Sequence, residues 1–280
     1  MDQKRRNFLK VAGISTLAGL GATTGLSRLV DGAQSALAST GEVHGDAATQ
    51  QAGSEQAANN APCVNRYGML IDVRKFREDP TLGERVVRAC HTVHNVPHFP
   101  DKKDEIKWIW MTRFENAFPE QPHLYRDQVN EEVQLPIFCN HCDNPPCVRV
   151  CPTQATFRNK DGIVMMDFHR CIGCRFCMAG CPYGSRSFNW RDPRPFIDSD
   201  HMNKDFPTRT RGVVEKCNFC DERIRKGLQP ACVEACGDTK AMVFGNLNDP
   251  ESEIRQMLKQ NHTVQRNPSL GTRPSVFYIL

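Results

Sequence analysis

Fourteen of the 280 residues are cysteine, and twelve of these fall in three runs. The first is Cys139-Asn140-His141-Cys142-Asp143-Asn144-Pro145-Pro146-Cys147-Val148-Arg149-Val150-Cys151-Pro152. The second, Cys171-Ile172-Gly173-Cys174-Arg175-Phe176-Cys177-Met178-Ala179-Gly180-Cys181-Pro182, has the spacing C-x2-C-x2-C-x3-C-P. Three thiolates on so tight a loop can cap three irons of a four-iron cubane, while the fourth, beside a proline break, reaches a neighbouring cubane. The predicted pairing is therefore crossed: Cys139, Cys142 and Cys147 with Cys181 in one site, and Cys171, Cys174 and Cys177 with Cys151 in the other. A third run, Cys217-Asn218-Phe219-Cys220-Asp221 and then Pro230-Ala231-Cys232-Val233-Glu234-Ala235-Cys236, repeats the first with an insertion at 222–228. Zinc is the alternative for paired thiolates, but ribbon zinc sites use separated pairs, not triplets with an offset fourth ligand before a proline. A cluster enzyme would need an open iron, and every triplet here has a fourth thiol within reach. Disulfide staples are not needed in a chain long enough to bury its own core.

The elements that must hold these loops are short. Residues 155–159 and 163–167 flank Lys160-Asp161-Gly162, a hairpin signal between the first and second runs. Residues 249–261 are amphipathic and predict a helix with Asp249 as N-cap and Glu253 behind it. At the N-terminus, Lys4-Arg5-Arg6-Asn7-Phe8-Leu9-Lys10 precedes a mild Gly- and Ala-rich apolar stretch and then Ala36-Leu37-Ala38, which reads as a twin-arginine export signal over 1–38. Residues 39–61 have hardly an apolar side chain and predict a disordered tether.

The chain carries 36 basic and 32 acidic residues. Without residues 1–38 the count is 31 against 30, and no stretch concentrates Lys and Arg, which argues against nucleic acid as a partner. Three oxidised cubanes at about −2 each would take such a chain to roughly −5. Arg149, Arg175, Arg186, Lys216, Arg223 and Arg225 lie near the runs and would favour the reduced, more negative state, or serve as plain surface charge. His91, His94, His98, His141 and His169 read as polar surface or groups behind the thiolates, not ligands. Trp108, Trp110 and Trp190 read as packing for the insert or for a partner interface.

With these runs the sequence resembles the multi-cluster ferredoxin subunits of membrane-associated oxidoreductases, which include the dimethyl sulfoxide reductase iron-sulfur subunit and the NrfC-like and HybA-like proteins. The resemblance covers residues 66–280. It implies an α+β fold of tandem bacterial-type ferredoxin-like modules with inserts and long connecting loops: 62–101 and 193–250 as the halves of a degenerate module, 102–133 an insert, 134–192 a two-cluster module, and 251–280 a C-terminal helix and tail. Arg66–Asp72 is similar to the strand before the family's first cysteine group, and 90–95 to that group's end. Between them the three expected ligands fall on Pro80, Gly83 and Val86, or, counted from the strand, the first falls on Phe76. None binds iron, and the loop at 77–83 is longer than the family's, so one cluster is expected to be missing.

Crossed ligation then implies that Cys90 survives as the fourth ligand of Cys217, Cys220 and Cys232, although a lone cysteine also serves as a small buried hydrophobe. Three [4Fe-4S] clusters result, and Cys63 and Cys236 are left over, free or joined in a disulfide. The export signal, the missing first loop, the Glu105–Trp110 insert and the closing 271–278 are similar to the DsrO branch of the family. That branch implies an electron conduit without a catalytic site, periplasmic and held at the membrane by an NrfD-like integral subunit, beside a multihaem cytochrome c. The alternative is the iron-sulfur subunit of a molybdopterin oxidoreductase.

Overall fold

The computed structural model describes residues 64–121 and 133–280. The proposed export signal, the tether and Cys63 lie outside the described residues. In chain order the elements are β1 (Tyr67–Asp72), α1 (Val73–Glu78), α2 (Pro80–Val93), β2 (Ile109–Arg113), α3 (Phe114–Ala117), β3 (Gln134–Phe138), α4 (Pro146–Arg149), β4 (Thr156–Arg158), β5 (Val164–Met166), α5 (Phe176–Ala179), β6 (Ser187–Phe188), β7 (Val214–Glu215), α6 (Asp221–Ile224), α7 (Ala231–Glu234), β8 (Met242–Asn246), α8 (Glu253–Gln260) and β9 (Val276–Ile279).

β1 is the apolar run expected from 66–72, and it is central because both its faces are buried. β8 pairs with it antiparallel and β9 parallel. Successive side chains of a strand point to opposite faces. Met69 and Ile71 accordingly enter the main core, while Leu70 joins Val243 and Ile279 under Ile254 of α8. The C-terminal stretch is thus an integral strand of the sheet, not a tail. Three two-stranded pairs, β2–β3, β4–β5 and β6–β7, complete the sheet content among the described residues. β4–β5 is the hairpin read at 155–167, turned through Gly162 at φ +77°.

α8 is shorter than the sequence signal. It starts at Glu253 behind Ser252, and Asp249 instead accepts from Glu251 N at 2.9 Å in the turn before it.

The segment that stands where the family has its first cluster loop is helical. Asp72 and Asp79 cap α1 and α2, accepting from Arg74 N at 3.2 Å and Thr81 N at 3.0 Å, and Pro80 takes the first position of α2, where its missing N–H costs nothing. Phe76, Leu82 and Val86 are buried in the main core together with Cys90 and Cys236. Arg85 Nε ties α2 to α7 by donating to Ala235 O at 3.0 Å. The positions Phe76, Pro80, Gly83 and Val86 have become helix, and Phe76 and Val86 fill the core while Pro80 is exposed.

Candidate metal centres

The first and second runs sit on two copies of one local device. β3 delivers Cys139; the chain turns through His141, at φ +41°, to Cys142; and α4 carries Cys147. In the second run Gly173 (φ +71°) and Arg175 (φ +64°) make the turns between Cys171, Cys174 and Cys177, and α5 carries Cys177. Two residues past each short helix comes a cysteine, Cys151 or Cys181, that lies with the other loop's thiols.

Cys139, Cys142, Cys147 and Cys181 line one small cavity with Val164, Tyr183 and Arg186. Burial pushes the Cys142 thiol up to about 12, and the thiols of Cys139, Cys147 and Cys181 beside it push the same way. In the neighbouring group, Cys177 is raised by burial and by Cys147, Cys151 and Cys171, while Arg186 draws it down. Cys151 receives a hydrogen bond from Thr156 N at 3.5 Å. Its thiol sits below the usual value because the bonds from Thr156, Thr153 and Ala155 outweigh the cost of burial.

The third run is joined by Cys90. Burial drives the Cys90 thiol well above its ordinary value, and the thiols beside it that add to the rise are Cys220, Cys217 and Cys232. Phe219 and Cys220, both left-handed at φ +57° and +56°, make the turn. Backbone N–H groups of Phe219 and Ala231 then reach Cys217 Sγ and Cys220 Sγ, each at 3.4 Å. Cys217 is pushed to about 12 by burial and next by Cys139, so this group and the Cys139 group are neighbours. Cys236 is buried against α2, its Sγ donating to Cys232 O at 3.3 Å. Burial raises that thiol to about 11.

These residues fit iron-sulfur clusters. Thiols that desolvation and mutual repulsion hold protonated release their protons when a cation takes their place, which is how metal binding couples to proton loss. No two of the described cysteines are bridged. Around the Cys139 group, Asn140 Nδ2 and Oδ1, His141 Nε2 and one Arg186 Nη are buried without a protein partner. Groups of this kind otherwise cost 1–3 kcal/mol or more each, and donors among them suit bridging sulfides.

Several participants carried no clear sequence signal. His141 and Phe219 hold the same place in the two repeats, and their rings stack with centroids 3.7 Å apart at 17°. His141 Nδ1 accepts from Val164 N at 3.2 Å, which leaves Nε2 on the side without a partner. His94 is also buried: its Nδ1 lies 2.8 Å from Cys90 O and its Nε2 3.0 Å from Glu222 Oε1, with the ring stacked on Trp108 at 4.4 Å. Ligand atoms of His94, Cys220 and Glu222 lie within 4.8 Å of one another. The His94–Glu222 bond already occupies two of them, and Cys220 belongs to the thiol group. His98 and His169 are exposed and His91 half-buried. Trp108 is buried, donating to Glu215 at 2.9 Å, whereas Trp190 is exposed under Arg175, whose guanidinium carbon is 4.6 Å from a Trp190 ring centroid. Of the six basic residues near the runs, Arg149, Arg175 and Arg225 are exposed and Arg223 half-buried, while Arg186 and Lys216 are buried.

A family model described as a 4Fe-4S dicluster domain matches residues 131–195 and 198–247. The Hdr-like menaquinol oxidoreductase iron-sulfur subunit 1 of Archaeoglobus fulgidus is 43% identical over 232 residues, spanning 76% of this chain and 82% of the relative. The chain belongs to this family of 4Fe-4S iron-sulfur subunits. Other relatives of this iron-sulfur subunit are the menaquinone reductase iron-sulfur cluster-binding subunit of Nitratidesulfovibrio vulgaris, 36% identical over 239 residues (76% of this chain, 88% of the relative), and the NrfC homolog of Haemophilus influenzae, 35% identical over 224 residues (79% and 83%).

Proposed function

We propose that this iron-sulfur subunit carries three [4Fe-4S] clusters and passes electrons along them between a membrane-embedded, quinone-reacting NrfD-like subunit and an exported redox partner such as a multihaem cytochrome c. The clusters would be held by Cys139, Cys142, Cys147 and Cys181; by Cys171, Cys174, Cys177 and Cys151; and by Cys217, Cys220, Cys232 and Cys90. The observation that carries the count is the thiol company of Cys90: a cysteine far away in sequence lies with Cys217, Cys220 and Cys232, while Cys236, which borders Cys232, has its Sγ tied to the Cys232 carbonyl at 3.3 Å. Bound clusters supply one-electron redox chemistry at potentials that their surroundings set. The protein binds them, spaces them and supplies their surrounding charge, with no catalytic site of its own. The finer reading is a DsrO-like subunit, exported by the twin-arginine route and attached at the membrane through partner subunits. Among the described residues no helix is long and apolar enough to cross a membrane.

Redox-titrated paramagnetic resonance of the anaerobically purified full-length chain, with iron and sulfide analysis, tests the count. Three cubanes per chain are expected. Two or four clusters, or stoichiometric zinc with no iron, would overturn it. A co-purifying molybdenum subunit in place of a cytochrome would select the alternative partner set.

A further inference from the structure

Among the described residues Lys216, Arg186 and Arg266 are buried cations that no carboxylate answers, and the first two lie among the thiol groups, while Arg266 sits over the Tyr183 ring. Lys216 is 1% exposed and Arg186 5%. Arg209, also buried, has Glu215 at 2.7 Å, whereas neither Lys216 nor Arg186 forms an ion pair among the described residues. Lys216 Nζ donates to the carbonyls of Val164 and of Cys217, the latter at 2.7 Å. Arg186 donates through one Nη to Thr156 Oγ1 at 3.1 Å and leaves the other without a partner. An unpaired buried charge costs several kcal/mol, so its counter-charge has to come from something else nearby.

The sulfurs are that something. Lys216 lies among Cys139, Cys217 and Cys147, which belong to two different thiol groups. Arg186 lies on the wall of the Cys139 cavity with Cys147, Cys177 and Cys139 around it, again two groups. The groups therefore form a row in which the Cys139 group is central, Lys216 standing at its junction with the Cys90 group and Arg186 at its junction with the Cys171 group.

We propose that Lys216 and Arg186 are the shared counter-charges of this row, each serving two adjacent clusters, so that the central cluster on Cys139, Cys142, Cys147 and Cys181 faces both and has the highest reduction potential of the three. This rests on the three-cluster reading above. On reduction one electron enters a cubane from the external donor, no bond forms or breaks and no proton moves. The cluster gains one negative charge, and a fixed cation nearby favours that state. The two residues act through the clusters and are positioning residues.

The test uses the full chain purified anaerobically, as wild type and with Lys216→Met, Arg186→Met and the charge-keeping Lys216→Arg and Arg186→Lys. Iron and sulfide content is read first; fewer than three cubanes in wild type would refute the cluster count itself, separately from the charge proposal. Midpoint potentials then follow from redox titration of the resonance signals, with Cys181→Ser marking the central cluster's signal. In wild type the central cluster is expected to reduce first. Lys216→Met is expected to shift the reduced-to-oxidised ratio of the central and Cys90 clusters at least tenfold toward oxidised, 59 mV for one electron, with a smaller change at the Cys171 cluster. Arg186→Met shifts the central and Cys171 clusters instead, and the charge-keeping variants restore most of each shift. A wild-type central cluster that is not the first to fill overturns the proposal even if both methionine variants fail to assemble. So do assembled variants whose potentials move less than tenfold or move equally at all three clusters.

Discussion

Replacing Glu215 by glutamine removes the charge against which Arg209 is buried, and the cost can be worked from the contacts. Both side chains are fully inaccessible, with Arg209 Nη2 2.7 Å from Glu215 Oε2. Trp108 Nε1 donates to the same oxygen at 2.9 Å and Asn189 Nδ2 to Oε1 at 2.6 Å. All three neighbours are donors, so the amide NH2 of glutamine must face at least one of them. Arg209 also donates to His94 O at 2.6 Å and Asn95 O at 2.8 Å, at the end of α2 just beyond Cys90. Breaking a buried ion pair costs about 3–5 kcal/mol, against at most about 1 kcal/mol for an exposed pair. A domain of this size loses roughly 2–4 °C of Tm per kcal/mol, so Glu215→Gln is expected to lower Tm by about 6–20 °C. Anaerobic thermal scans that follow backbone circular dichroism and visible cluster absorbance together, on cluster-loaded wild type and variant, read this directly. Because Arg209 clamps the end of α2, the resonance signal of the Cys90 site should be lost before the other two. A drop under about 2 °C, or simultaneous loss of all three signals, would refute the assignment of Arg209–Glu215 as that clamp.

Other expectations are simpler. Cys90→Ser should remove or alter one cluster signal and leave the other two, read by resonance and iron analysis, whereas Cys236→Ala should keep all three and cost about 1 kcal/mol in denaturant titration. Gly173→Ala places a Cβ 2.5 Å from Gly212 O at a position with φ +71°, so the second-run loop must distort, and iron content should fall by one cubane. Burial pushes the Asp72 carboxyl up, but its bonds and attraction to Arg74 outweigh this and hold it below the usual carboxylate range. Its folded pKa is thus the lower one, so its contribution is present above the unfolded value of about 3.9 and is lost as pH falls through the folded value. Asp72→Asn, which keeps the cap acceptor, should cost about 0.5–1 kcal/mol at pH 7 and progressively less below pH 4 in denaturant titrations at several pH values.

The thiol groups were legible because metal ligation imposes spacing on the chain itself: three cysteines on one loop and a proline after the fourth need no tertiary information. β1 and the 155–167 hairpin were legible for the same local reason. What sequence left unread depends on which surfaces meet. Arg186 has the same letter as Arg149 and Arg175, and Lys216 the same charge, and only the packing of β5 and the cysteine loops decides which are buried. Cys90 is joined to the third run in the sequence only through the family's crossed pattern, since no local spacing shows that α2 lies against α7, and the rebuilt loop reads as an insertion until Asp72, Asp79 and Pro80 are seen to start two helices. The place of 276–279 beside β1 rests on a parallel pairing across two hundred residues, which no local pattern encodes.

The stack of His141 on Phe219 works as a gauge. Each ring projects from the turn between the first two cysteines of its own run, so the thickness of two flat rings in contact sets how near those turns approach. Aromatic rings cannot be compressed and do not change length with rotamer as an aliphatic chain does, and the spacing is therefore fixed by shape rather than tuned by the fold around it. A larger or smaller side chain at either place would change the separation between two thiol groups without touching a cysteine.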